Sequence, residues 1–166
     1  MNTQSLAGQR DKQSFRRRVS RYAPLILWMG FISFASTGEF SAVNTSRIIR
    51  PILLWLFPNI SNESLALVHV LVRKAAHFGE YAVLGFFAAR ASFTSSHQFL
   101  RSNWSRWSVV LIAGYALLDE YQQSFVPTRT ASVYDSLIDT AGGLTALVIY
   151  AAWIRRRGRN READSD

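Results

Sequence analysis

Three otherwise apolar stretches are interrupted by ionisable side chains, and the spacing of those side chains is what a chemical site would need. Lys74, His77 and Tyr81 stand at i, i+3 and i+7, so a helix would carry them on one face, with Glu80 one position off that stripe. Asp119 and Glu120 are adjacent, and Gln123 lies four and three residues beyond them. Asp135 and Asp139 are again one helical turn apart. His77 beside Asp119 or Glu120 would make an acid/base pair, with the carboxylate orienting the ring. Two adjacent carboxylates in a dry site do not both ionise readily, so one can keep its proton and act as an acid. Arg129 can grip phosphate oxygens with a planar fork, and Lys74 adds a point charge.

The candidate site therefore divides into His77, Asp119, Glu120 and Asp135 as acid/base groups and Lys74, Tyr81, Gln123 and Arg129 as substrate-binding groups. Each has a structural counterpart. Arg73 and Lys74 can snorkel to a membrane interface, and His77 can be a hydrogen-bonded packing residue. Arg129 with Asp135 and Lys74 with Glu120 can form internal salt bridges. Glu120, Asp135 and His77 could hold a divalent cation, but no spacing as specific as a two-histidine helix motif supports it, so neither metal nor cofactor is expected. His69 reads as structural and His97 as a loop residue. No glycine-rich phosphate loop and no serine nucleophile elbow is present.

The elements that must position these groups are apolar runs over residues 24–40, 66–91, 107–125 and 136–153. A spanning helix needs about 20 residues at roughly 1.5 Å each, and borrowing Tyr22 and Ala23 brings the first run to that length. The expectation is an all-α integral membrane protein, a four-span transmembrane helical bundle. Its functional domain covers residues 22–153, between a basic arm (1–21) and a charged tail (154–166). Between the first two runs, an apolar block bracketed by Arg50-Pro51 and Pro58-Asn59 is too short to span, so a short interfacial or re-entrant helix is expected there. Gly142 and Gly143 in the fourth run permit close contact with a neighbouring helix.

The chain has 166 residues, 49% of them apolar, with 19 Lys and Arg against 11 Asp and Glu for a net charge of +8. Most of the basic excess sits outside the apolar runs. With the N-terminus cytoplasmic, fourteen basic residues fall on the inner side, in the arm, the second-to-third loop and the tail. Five (Arg47, Arg50, Arg73, Lys74 and Arg129) fall on the outer side. An even number of spans with both termini cytoplasmic follows, and the polar residues, Glu39 included, then gather near the outer leaflet. Facing lipid would cost each charge several kcal/mol, about 2.5–3.5 on insertion scales, so the stripes should face one another. Basic clusters flanking spans on one side fit stop-transfer and anionic-lipid contacts, so no nucleic-acid partner is expected. The absence of cysteine excludes a disulfide scaffold and a thiolate site. Four spans without an inverted repeat disfavour alternating-access transport.

The linked motif Arg73-Lys74-x-x-His77-Phe78-x-Glu80-Tyr81, then Asp119-Glu120-x-x-Gln123-x-Phe125-Val126-Pro127-x-Arg129-Thr130-x-Ser132-x-x-Asp135-x-x-Ile138-Asp139-x-x-Gly142, resembles the VanZ-like membrane proteins. Thr128 stands where that family usually has Gly, and Asp139 where it often has Asn. The resemblance implies a small multi-span protein of the bacterial inner membrane, from a family named for members giving low-level resistance to the glycopeptide teicoplanin. The chemistry of the cluster points to an anionic or lipid-linked envelope substrate, recognised and open to acid/base modification. A non-catalytic lipid- or glycopeptide-binding module, or a partner of a larger membrane complex or homodimer, is the alternative.

Overall fold

The computed structural model describes residues 3–37, 42–127 and 132–163, and every secondary-structure element in them is helical. Helix α1 spans Thr3–Ala35, α2 Ala42–Leu56, α3 Asn62–Phe93, α4 Gln98–Ser102, α5 Trp104–Gln123 and α6 Val133–Ala163. At roughly 1.5 Å per residue α5 is about 30 Å long, whereas α2 reaches only about 22 Å, short of a hydrocarbon layer. Helix α6 is long and apolar enough over Val133–Asn160 to cross a membrane.

Local chemistry sets several of these ends. Ser61 caps α3 by accepting a hydrogen bond from the Ser64 backbone N–H at 3.1 Å. Ser132 Oγ accepts from the Tyr134 N–H at 3.3 Å at the start of α6. Pro24 begins the first apolar run in the sequence, yet α1 continues straight through it. A proline inside a helix leaves the carbonyl four residues earlier without its usual donor. Here that carbonyl belongs to Ser20, and Arg90 from the last turn of α3 donates to it at 3.2 Å. The basic arm and the first apolar run are thereby one helix.

Four long helices alternate in direction. Tyr22 hydrogen-bonds Ser95 while Trp28 donates to the Glu80 carbonyl, so α1 and α3 run antiparallel. Tyr81 donates to the Tyr115 carbonyl while Phe93 packs on Trp104, which makes α3 and α5 antiparallel as well. Lys74 meets Asp135 and Phe93 meets Tyr150, so α3 and α6 run parallel. Helix α3 is the hub, touching every other helix, and α2 packs only on α3. His69 serves that packing through a 3.1 Å hydrogen bond to Thr45.

The core is thin and mixes alanines with larger residues: Leu84, Ala88 and Ala89 of α3, Ile112 and Ala116 of α5, Leu147 and Tyr150 of α6, and Ile32 of α1. Small side chains let α3 and α6 approach until backbones touch. A Cβ on Gly85 would lie 2.5 Å from the Gly143 carbonyl oxygen, and one on Gly142 would strike the Phe78 carbonyl. Outside this core, large apolar residues face outwards on every long helix, among them Leu27, Leu71, Leu118 and Val148. Contiguous apolar exposure on that scale marks a surface made for something other than water.

The crossing gives a paired prediction. Gly85→Ala pushes a methyl into backbone and should destabilise the bundle by about 1–3 kcal/mol, as overpacking does. Gly114→Ala, with open space around it, should be neutral or slightly stabilising because alanine is the better helix former. Thermal unfolding in detergent reads both, and equal melting temperatures would contradict the close crossing.

Candidate functional site

Because the four long helices alternate, the end of α1, the first half of α3, the end of α5 and the start of α6 share one end of the bundle. Asp119, Glu120, Gln123 and Asp139 are all buried there, Asp139 completely. These are polar groups in a place where burial without partners is costly.

Asp119 is the best satisfied. Ser36, from the end of α1, donates its hydroxyl to one carboxylate oxygen and to no water-filled space, since both residues are buried. Gln123, one turn on in α5, donates to the other oxygen at 3.1 Å. Glu120 accepts from the Ser132 backbone N–H at 2.7 Å through Oε2, which ties the end of α5 to the start of α6. Its Oε1 has no hydrogen-bond partner among the described residues. Among the described residues Asp139 has no hydrogen-bond partner at either oxygen, and His77 Nδ1 stands 3.4 Å from its Oδ1. Lys74 Nζ lies 2.6 Å from Asp135 Oδ1 at the partly exposed rim.

Several sequence expectations are redistributed by this geometry. His77 pairs with Asp139 rather than with Glu120, because the parallel α3/α6 crossing puts positions 77 and 139 level. Asp119 nonetheless stays close, since His77, Asp119 and Asp139 each offer a ligand atom within 4.8 Å of the others. Of the set Glu120, Asp135 and His77, which could hold a cation by residue type but is not expected to, Asp135 is engaged by Lys74 and Glu120 by Ser132. Lys74 meets Asp135, not Glu120, for the same reason of level. Tyr81 is fully buried one turn deeper and spends its hydroxyl on the Tyr115 carbonyl at 3.3 Å. Arg129 and Glu39 lie outside the described residues.

Residue-by-residue reasoning leaves Ser36 out of the site and gives Asp139, a member of the polar cluster, no role of its own. Asp139 carries a usable signal, a second carboxylate one turn after Asp135 in a run that is otherwise apolar. Ser36 carries little, being one small hydroxyl in an apolar stretch. Behind the site, Tyr115 donates to the Met29 carbonyl at 2.5 Å and sits 2.7 Å from the Ser33 hydroxyl, while Gln122 donates to the Ser33 carbonyl at 2.9 Å. These bonds lock α1 to α5 and so hold Ser36 against Asp119.

Chemically, the arrangement offers a histidine between two buried carboxylates, a third carboxylate with a free oxygen, and a rim ion pair. The rim pair is a weak element, because both side chains are partly exposed, 43% and 34%. A double-mutant cycle with Lys74→Met and Asp135→Asn should give a coupling of about 0.2–1 kcal/mol in unfolding experiments. A coupling above about 3 kcal/mol, the scale for breaking a buried pair, would mean that the rim is closed to water.

Comparison with known proteins adds a family and nothing closer. No curated protein and no solved structure matches the chain. The family model described as VanZ/LLP1 matches residues 22–155, which takes in α2 to α5, the apolar part of α1, most of α6 and all the residues of the polar end. With most of its length covered by that match, the chain belongs to the VanZ/LLP1 family.

Proposed function

We propose that this protein is a four-span bacterial inner-membrane protein with both termini cytoplasmic. Its polar end faces the outer leaflet and recognises the headgroup of an anionic or lipid-linked envelope substrate. The observation that carries the reading is the gathering of Asp119, Glu120, Gln123 and Asp139, all buried, at one end of a bundle whose flanks are apolar and exposed. In water, each Leu, Ile, Val or Phe left outside forfeits about 1.5–3 kcal/mol of burial. Acyl chains remove that cost, and a substrate tail would lie along the same surface. Family membership supports association with the cell envelope.

The opposite end supports the same orientation. Arg21, Arg90, Arg101 and Arg106 collect there with the tail, and Arg157 lies over the Trp153 ring at 4.1 Å, a pairing suited to a membrane interface. Lys74 is engaged by Asp135, so the proposal gives the contact with phosphate oxygens to Arg73 and Arg129. His77, Asp119, Glu120 and Asp135 are available for acid/base chemistry on the bound headgroup. Binding or altering a cell-wall lipid in this way would change susceptibility to a glycopeptide such as teicoplanin.

The test is mass spectrometry of lipids that co-purify with the protein, run beside total envelope lipids of the expressing cells. The wild type should retain anionic phospholipid or lipid-linked phosphate in excess over neutral lipid, and Arg129→Ala should lose that excess. Glu120→Gln should retain it, and a lipid species changed by the wild type but not by Glu120→Gln would make the protein an enzyme. Equal retention of neutral and anionic lipid by the wild type contradicts the proposal.

A further inference from the structure

Carboxylates are concentrated at the polar end among the described residues. Asp119, Glu120 and Asp139 are three buried carboxylates, while Lys74 is committed to Asp135 at the rim. Buried carboxylates persist when they are hydrogen-bonded, paired or bound to a metal. Asp119 has two donors, and Glu120 has one. Asp139 is wholly buried, with neither oxygen hydrogen-bonded among the described residues. Its ion-pair neighbour among the described residues is His77, whose Nδ1 stands 3.4 Å from Oδ1, beyond the usual 2.7–3.2 Å of an N–H···O bond.

From this juxtaposition we infer that His77, Asp119 and Asp139 form a binding site for one divalent transition-metal ion. The three ligand atoms lie within 4.8 Å of one another. Two ligands each about 2.1 Å from a tetrahedral metal stand about 3.4 Å apart, which is the separation of His77 Nδ1 and Asp139 Oδ1. One imidazole and two carboxylates form a mixed nitrogen and oxygen set, suited to Zn2+ or Mn2+ and poor for Ca2+, which takes six to eight oxygens. Ser36 and Gln123 already orient Asp119 from behind, as outer-shell groups do at metal sites, and each carboxylate oxygen keeps a lone pair for the ion. The three ligands come from three helices, α3, α5 and α6, so the ion also clamps the bundle.

The inference goes beyond the headgroup reading and stands independently of it, since the metal binds without lipid. A bound cation would also offset most of the negative charge that an anionic headgroup meets. The experiment uses the full chain in nanodiscs of uncharged phosphatidylcholine, stripped with chelator and titrated with Mn2+ alone. Electron paramagnetic resonance of free aqueous Mn2+ reports the bound fraction. One Mn2+ per chain should bind and be displaced by Zn2+. Asp139→Asn and His77→Gln should each weaken binding by about tenfold or more, whereas Glu63→Gln, on the exposed start of α3, should not. Pulsed spectra should show an imidazole nitrogen coupled to Mn2+ in the wild type and none in His77→Gln. This readout stands if Asp139→Asn fails to fold. No binding by the wild type, or binding without a coupled nitrogen, overturns the site. Loss of lipid selectivity with metal binding intact would overturn only the headgroup reading.

Discussion

The contact of α3 and α6 backbones at Gly85, Gly142 and Gly143 is the constraint on which the rest of the molecule depends. Apolar side chains give no net drive for helices to associate when the surroundings are apolar too, so close packing and interhelical hydrogen bonds must do that work. Glycine lets the two helices meet at backbone distance, and parallel orientation then fixes the levels. Position 74 meets 135, and 77 meets 139. One methyl group at Gly85 or Gly142 would separate the helices and draw His77 away from Asp139. The polar end is therefore a consequence of small residues a turn or more below it.

Around that crossing the remaining helices are tied by polar bonds to backbone. Trp28 holds the Glu80 carbonyl, Arg90 the Ser20 carbonyl left without a donor by Pro24, Gln122 the Ser33 carbonyl and Tyr115 the Met29 carbonyl. The bonds to Ser20 and Ser33 satisfy carbonyls that lack a donor within the helix, and the other two add a second partner to helical carbonyls. They also fix α1 in register with α5, so that Ser36 arrives at Asp119. Two sets of contacts, glycine between α3 and α6 and polar between α1 and α5, build one site from four helices.

Much of this was legible in the sequence because membrane-scale patterns are coarse. Apolar runs marked where the long helices lie, and helical spacing grouped Lys74, His77 and Tyr81, then Asp119 and Gln123, then Asp135 and Asp139. The partners across helices were not legible. Spacing along one helix is blind to the level of its neighbour, so the salt bridge of Lys74 with Asp135 and the pairing of His77 with Asp139 are not visible in it, although the closeness of His77 to Asp119 is. The continuation of α1 through Pro24 into the basic arm was not legible for a similar reason. The donor that replaces the lost backbone hydrogen bond, Arg90, is 66 residues away in the chain. Asp139 was visible as a carboxylate in an apolar run, but its lack of hydrogen-bond partners is a property of three dimensions.

The central claim is that a buried polar site opens to the outer face of a membrane. Because the chain contains no cysteine, single substitutions provide clean reporters of sidedness. Ser132→Cys, at the start of α6 beside Glu120, and Ser96→Cys, in the segment after α3, lie at opposite ends of the bundle. A membrane-impermeant maleimide applied to intact cells, or to spheroplasts if an outer membrane is present, should label the first and spare the second until the membrane is permeabilised. Labelling of Ser96→Cys alone in sealed cells would put the carboxylates on the cytoplasmic side and contradict the account.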